Sequence, residues 1–373
     1  MRGAGFASAL TAPGPADMAT TERPPVRAHV RLLAPVASEI VRLLTAMLLT
    51  SVGLAWTATA AAAPTTIAAL HGATAVEAYG DVAVWSDYDA TERSWHVVVR
   101  RHGQISTPPI PTAQKAIEVD VGPGPSGVPT LAYVNCAGGC HLMVSGVDGS
   151  DSQTVSGSQE AKHPTIWGDR VAWVSGKAKV MISRLDGSGR RVLAGVPHRR
   201  CYYKEPGTPP RLVCEAPQLP EVEALQLYRG QLALIDTFIL NDNVGAVGTT
   251  TEVRTEATNG APQRLVALLG VGEGDESWLG PSWSDGKLYF YEDSMGAGFV
   301  VYRFDPVRDT YLSARAHTYL TGFSVVGDRA YEATASGDPR SGSACLEDEI
   351  QPCVVRLSEP FALKASRAPV HVP

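Results

Sequence analysis

From about residue 65 onward, apolar and polar positions alternate in short runs, and the runs come in pairs split by a Gly- or Asp-containing turn. Residues 166 to 176, IWGDRVAWVSG, show the unit: an apolar strand, a Gly-Asp turn, then a second strand of period two. The same phrase returns as VEAYGDVAVWS (76 to 86), PSWSDGKLYFY (281 to 291) and GFSVVGDRAY (322 to 331). Weaker copies are GPSGVPTLAYV (124 to 134) and LQLYRGQLALI (225 to 235).

The copy that begins at His163 runs on through KVMISRLDGSGRRVL, which adds a third strand, an Asp-Gly-Ser-Gly turn and a fourth strand. HLMVSGVDGSDSQTV and FVVYRFDPVRDTYLS repeat that second half. The unit is therefore four antiparallel strands joined by hairpins, recurring about every 40 to 60 residues. Six units are expected, beginning near Thr74, Ala116, Ala161, Glu221, Trp278 and Leu320. No convincing amphipathic helix interrupts them, since PEVEALQLYRGQLALI fits strand, turn and strand equally well. This repetition predicts an all-β fold, a six-bladed β-propeller of four-stranded antiparallel blades over residues 64 to 373. Five or seven blades, or a β-sandwich, are the alternatives. Two closures of the ring are open: TTIAAL at 65 to 70 completes the sixth blade, or FALKA at 361 to 365 does.

HPTIWGDRVAWVSGKAKVMISRLDGSGRRVL and GPSWSDGKLYFYEDSMGAGFVVYRFDP resemble the blade repeats of TolB-type propellers. That pattern is Pro-x-Trp-Ser-Pro-Asp-Gly, a buried strand, then an Asp-Gly turn before a basic last strand. No copy here carries the full Trp-Ser-Pro-Asp-Gly, and the blades one, two and four match in outline. The resemblance implies architecture; the partners of TolB do not follow from it.

The N-terminal residues change the picture of where the chain works. Residues 1 to 35 are rich in Ala, Pro, Thr and Arg, lack an apolar period, and are expected to be a disordered extension. Residues 36 to 63 contain Arg42, an apolar run and a small-residue stretch in the order of a secretory signal, with cleavage expected near Ala61, Ala62 or Ala63. The alternative is an uncleaved anchor, because residues 43 to 63 just reach the length of a bilayer span. The protein is thus expected to be secreted or otherwise extracytoplasmic, with no membrane span once the signal is removed.

Hydrophobic residues are 44% of the chain and charged ones 19%, enough apolar material for a sizeable core. The net charge of −6 becomes −8 once the five Arg and three acids before Pro64 are removed. An acidic surface excludes phosphate-backbone binding as a main role, so no nucleic-acid partner is expected.

All six cysteines follow the signal, in three local pairs: Cys136 with Cys140, Cys201 with Cys214, and Cys345 with Cys353. Export favours disulfides that staple loops. Neither zinc-ligand spacing nor a Cys-x-x-Cys redox pair is present.

In a four-stranded meander A-B-C-D, the A-B and C-D turns lie on one face of the ring. The B-C loops and the D-to-A connections lie on the other. All three cysteine pairs and the long insertions at 85 to 95, 235 to 248 and 333 to 353 map to this second face. Long stapled loops on a rigid scaffold predict a recognition rim. Its candidate residues are Asp87, Tyr88, Asp89, Glu92, Tyr202, Tyr203, Asn241, Asp242, Asn243, Glu292, Asp293 and Asp338, all expected to be exposed. Trp85, Trp167, Trp173 and Trp283 are expected to pack in or beside strands.

No nucleophile elbow, zinc helix or phosphate loop occurs, and NDNVG at 241 to 245 lacks the spacing of a calcium loop. No cofactor, metal or catalytic residue is assigned. The expected function is non-catalytic binding of a protein or carbohydrate at the cell surface, by a monomer. The alternative is a propeller hydrolase or lyase acting on glycans, with acids from different blades at the channel mouth.

Overall fold

The computed structural model describes residues 64–72, 74–194, 201–204, 211–214, 219–241, 247–260, 263–269, 277–294, 298–316, 320–327, 329–335, 352–359 and 361–371. The chain divides into two units, Met1–Ala60 and Ala61–Pro373. The expected extension and secretory signal, residues 1 to 63, lie outside the described residues.

The described residues form strands and turns, without helix, arranged as a six-bladed β-propeller. Blade one is Val76–Tyr79, Val82–Asp89, Ser94–Arg101 and Gln104–Ser106. Blade two is Val119–Pro123, Pro129–Asn135, His141–Gly146 and Gln153–Gln159. Blade three is Ala161–Trp167, Arg170–Ser175, Lys179–Arg184 and Arg191–Ala194. Blade four is Glu221–Tyr228, Gln231–Asn241, Val247–Ala257 and Arg264–Leu269; blade five is Ser277–Ser284, Lys287–Ser294, Gly298–Asp305 and Thr310–Arg315. Blade six takes three strands from the end of the chain, Leu320–Val326, Arg329–Ala335 and Cys353–Ser358.

Its fourth strand is Thr65–Leu70, antiparallel to Cys353–Ser358 with Leu70 opposite Cys353. TTIAAL therefore closes the ring. FALKA does not: Lys364–Ser366 adds a fifth strand to the outer edge of blade five, antiparallel to Thr310–Arg315. Val370–His371 then pairs in parallel with Arg264–Leu269 on the outer edge of blade four.

The repeated phrase folds as it does for two reasons. Its turn needs left-handed backbone: Arg229 and Gly230 have φ of 46° and 79°, and Asp285 and Gly286 have 48° and 72°. Two consecutive positive φ values mark the hairpin turn whose twist matches the strands it joins. The second strand lies inside the blade and is covered by neighbouring blades on both sides, so Val82–Ser86 and Val171–Val174 are buried without alternation. Six apolar clusters result, one at each blade junction. Trp85 and Tyr331 pack at the junction of blades six and one, and Trp173 packs between blades two and three.

Cys136 and Cys140 are joined in a disulfide with Cα atoms 3.8 Å apart, between the second and third strands of blade two. Cys353 is also disulfide-bonded, and Cys345 lies outside the described residues. Between blades three and four stands a separate hairpin, Cys201–Lys204 with Arg211–Cys214, whose register sets Cys201 opposite Cys214.

Candidate functional site

A propeller offers two concave places, its central channel and the loop rim. The channel is built from one position of the repeated phrase. Each innermost strand carries a polar residue: Glu77, Thr165, Gln226, Ser282 and Ser324 stand three before the turn, and Asp120 stands four before the longer turn of blade two. An innermost strand has one edge without a neighbouring strand, so its backbone N–H groups would be orphaned in a dry channel. The polar side chain of each blade answers this by accepting the N–H of the next blade. Ser324 accepts from Ala78 (3.0 Å), Ser282 from Val325 (2.8 Å), and Gln226 from Trp283. Thr165 accepts from Leu227 (2.8 Å) and Asp120 from Ile166 (2.8 Å).

Five of the six junctions carry this clasp. The sixth, between blades one and two, differs: Val121 N–H donates to Asp120 beside it (2.8 Å), and Glu77 instead accepts from Gln226 Nε2 across the channel (3.1 Å). Glu77 keeps some exposed area but lies deep within the ring. Burial raises its carboxyl well above the ordinary value, the negative charge of Asp120 raises it further, and hydrogen bonds from Gln226 and Ser324 oppose this. Burial also raises Asp120, to about 6, against the pull of bonds from Ile166, Thr165 and Val121.

Toward the hairpin-turn face, aromatic rings fill the channel. Tyr79 stands edge-on to Trp167 (5.6 Å between ring centres), Trp167 leans on Tyr228 (4.4 Å), and Tyr228 stacks on Trp283 (5.5 Å). What remains is a void of about 20 Å³.

The rim holds a much larger depression, about 370 Å³, at the outer end of blade one. Asp87 and Asp89 are two apart on one strand and therefore share a face, and His96 sits opposite Asp87 in register on the next strand. His71 reaches the same place from the connection after the closing strand, and Thr91 and Thr107 add hydroxyls. Backbone amides fix the acids: Asp87 Oδ1 accepts from His71 N (3.2 Å) and Tyr88 N (2.9 Å). Asp89 Oδ1 accepts from Thr91 N (2.6 Å) and Glu92 N (3.1 Å), which lowers its pKa. His96 Nε2 lies 3.4 Å from Glu92 Oε2. Asp89 takes a further bond from the Thr91 hydroxyl, whereas the other oxygen of Asp87 has no hydrogen-bond partner among the described residues and keeps acceptor capacity for a ligand.

Of the residues expected on the rim, Asp87, Tyr88 and Asp89 line this depression, and Glu92 borders it. Glu292 departs from expectation. It is 1% exposed, and its carboxylate accepts from the Tyr302 hydroxyl (2.8 Å). The strands of blade five continue to Ser294 and Gly298, so Glu292 lies inside a ladder and not at a loop. Tyr202, Tyr203, Asn241 and Asp293 are placed by backbone pairing, opposite Val213, Leu212, Val247 and Phe299. Asp242, Asn243 and Asp338 lie outside the described residues.

Sequence reasoning missed His71, His96 and Thr107, and it missed the channel ring. The ring had a signal, a polar residue three before the turn in five blades, with Asp120 one place further back in blade two. His71 had none, because ring closure brings it to blade one, while Thr107 follows that blade's own outer strand, Gln104–Ser106. Among the described residues, no three His, Cys, Asp or Glu are grouped to hold a metal ion, and no helix is long and apolar enough to cross a membrane.

No family model matches the chain, and no curated protein does. Solved structures similar to it include the nidogen/laminin complex (11% identity, 81% of this chain and 98% of that chain, TM-score 0.41). A Penicillium chrysogenum alpha-L-arabinanase complexed with arabinobiose is similar at 10% identity, over 81% and 98%, with TM-score 0.47. The β-propeller domain of the Trilobed protease from Pyrococcus furiosus is similar at 9%, over 80% and 99%, with TM-score 0.40. Likeness at this level carries no function, and the blade count rests on the strand order itself.

Proposed function

We propose that this chain is an exported propeller that binds rather than catalyses, and that the blade-one depression is where it binds a hydroxyl-rich ligand, a saccharide of the cell surface. The observation that carries the reading is the contrast in size between the two concave places. The depression has the volume of a small-ligand site, while the channel void is too small for a sugar. The lining of the depression is polar on most sides, with carboxylates held at fixed rotamers, imidazoles and hydroxyls, which suits hydrogen bonding to a polyol. The TolB-like blades supply the scaffold in this reading.

A glycan hydrolase or lyase would need its paired carboxyls about 5 to 9.5 Å apart with the substrate between them. Of the raised carboxyls, Glu77 and Asp120 owe their shift first to burial in the filled channel, and Asp236 and Glu256 to burial within blade four. Binding of purified cell-envelope glycans to the mature protein tests the proposal. The double substitution Asp87→Asn and Asp89→Asn keeps the turn acceptors but removes both charges, and should weaken binding tenfold or more with the melting temperature unchanged. Unchanged binding by this variant would place the ligand elsewhere, and capture of proteins but not of glycans would overturn the saccharide reading.

A further inference from the structure

The void at the centre of the ring lies apart from the rim and carries its own chemistry. At about 20 Å³ it has room for one water molecule. Trp283, one of its lining residues, is 7% exposed, and its indole N–H is a buried donor with no partner. A buried donor left unpaired is costly, and a bound water is the usual remedy. Two neighbours in the lining can complete the water's bonds. Asp120 accepts one backbone N–H on each carboxyl oxygen and a bond from the Thr165 hydroxyl, which leaves one lone pair for the water. Gln226 spends its oxygen on Trp283 N–H and one amide hydrogen on Glu77, which leaves its second amide hydrogen.

The same place has an excess of negative charge. The innermost strands of the six blades present Glu77, Asp120, Thr165, Gln226, Ser282 and Ser324 at this level. No Lys or Arg is among the groups that act on either carboxyl. Glu118 and His163, whose Nδ1 and Oε2 are 3.7 Å apart, occupy the same inner layer closer to the loop face and add no unpaired cation. Glu77 is also the one ring member that clasps no backbone N–H of the next blade, so its carboxyl is left to satisfy by other means.

We propose that the channel floor is a hydrated proton site: one permanent water joins Trp283, Asp120 and Gln226, and a proton held on one of the two neighbouring carboxyls, Glu77 or Asp120, keeps them from carrying two charges. The protonated carboxyl donates one hydrogen bond within the ring, and the proton leaves to solvent when the pair ionises at higher pH. The site is thus a built-in acid-stabilised clasp at the blade-one to blade-two junction, where the backbone clasp is absent.

The test uses the mature protein with ¹⁵N-labelled tryptophan, the Trp283 indole signal being assigned by its loss in Trp283→Phe. The indole should show cross-relaxation with a long-lived water and should shift in one step, with a midpoint near 6, between pH 4.5 and 8. Asp120→Asn should abolish the step and keep the water signal. An indole with no water contact, or with a flat shift across this range, overturns the proposal. A second readout does not need the tryptophan variant to fold. Glu77→Gln keeps the bond to Gln226 and removes the proton, so its melting temperature should fall less steeply than wild type from pH 5 to pH 8. Parallel curves for the two proteins would show that no proton is held there.

Discussion

Ser282 has no exposed surface, and its hydroxyl accepts the N–H of Val325 from the next blade at 2.8 Å. Ser282→Ala deletes the acceptor and leaves that amide buried and unpaired, with a cost of about 1–3 kcal/mol in place of the near-zero cost of most surface changes. Chemical denaturation of the variant should show this loss, while Ser188→Ala in an exposed turn should change stability by less than about 0.5 kcal/mol. Equal losses in the two variants would mean that the clasp adds nothing. The clasp residues show what was legible at this scale. Glu, Asp, Thr, Gln, Ser and Ser, the Asp one place out of step, share no chemistry beyond an acceptor atom, so they read as noise until the strand edge they serve is seen. Glu292 shows the reverse. An acid beside Asp293 near a loop reads as exposed, but the ladder of blade five runs past both and buries it.

Strand identity followed from the sequence because period-two runs and positive-φ turns are local properties. Strand partnership at the seam did not. TTIAAL and FALKA are both short and mostly apolar, and nothing local distinguishes a closing strand from an edge strand. The choice is made by geometry across almost the whole chain: Thr65–Leu70 inserts beside Cys353–Ser358 and buries Leu70 in the cluster with Trp85 and Tyr331. Deleting residues 64 to 71 from the mature protein should therefore lower its melting temperature by about 3 °C or more, consistent with losing about 2 kcal/mol or more of burial and pairing. It should also expose a sheet edge and promote association. Deleting residues 364 to 373 removes three paired positions on blade five and two on blade four, and should cost much less. A tail deletion as damaging as the loss of the closing strand would assign the closure of the ring to the tail. The rim site was half legible for the same reason. Asp87, Tyr88, Asp89 and Glu92 belong to one loop and were found together, whereas His71 joins them only because that seam closes beside blade one.

Across the whole molecule, four raised carboxyls among the described residues, Asp236, Asp120, Glu77 and Glu256, push stability in one direction with pH. Burial raises Asp236 from its ordinary 3.8 to about 7, although Arg254 at 3.7 Å opposes the shift, and it raises Asp120 to about 6 and Glu77 well above 4.5. In each case the folded protein holds its proton at a pH where the unfolded chain has already released it. Between about pH 4 and the folded value, more protons are bound in the native state, so stability falls as pH rises. For Asp120 the loss runs from 3.8 to about 6, and for Asp236 from 3.8 to about 7. Asp305 acts oppositely: Lys287 and backbone amides lower it to about 2, so its contribution is complete above pH 4 and constant over the same range. The propeller should therefore be more stable at pH 5 than at pH 8, by on the order of 1–2 kcal/mol. Asp236→Asn should remove part of that slope and leave the remainder to the channel pair and Glu256. Urea denaturation at half-unit intervals of pH checks both statements. A stability that rises from pH 5 to pH 8, as for a fold held by salt-bridged surface acids, would show that these carboxyls are already charged inside the ring.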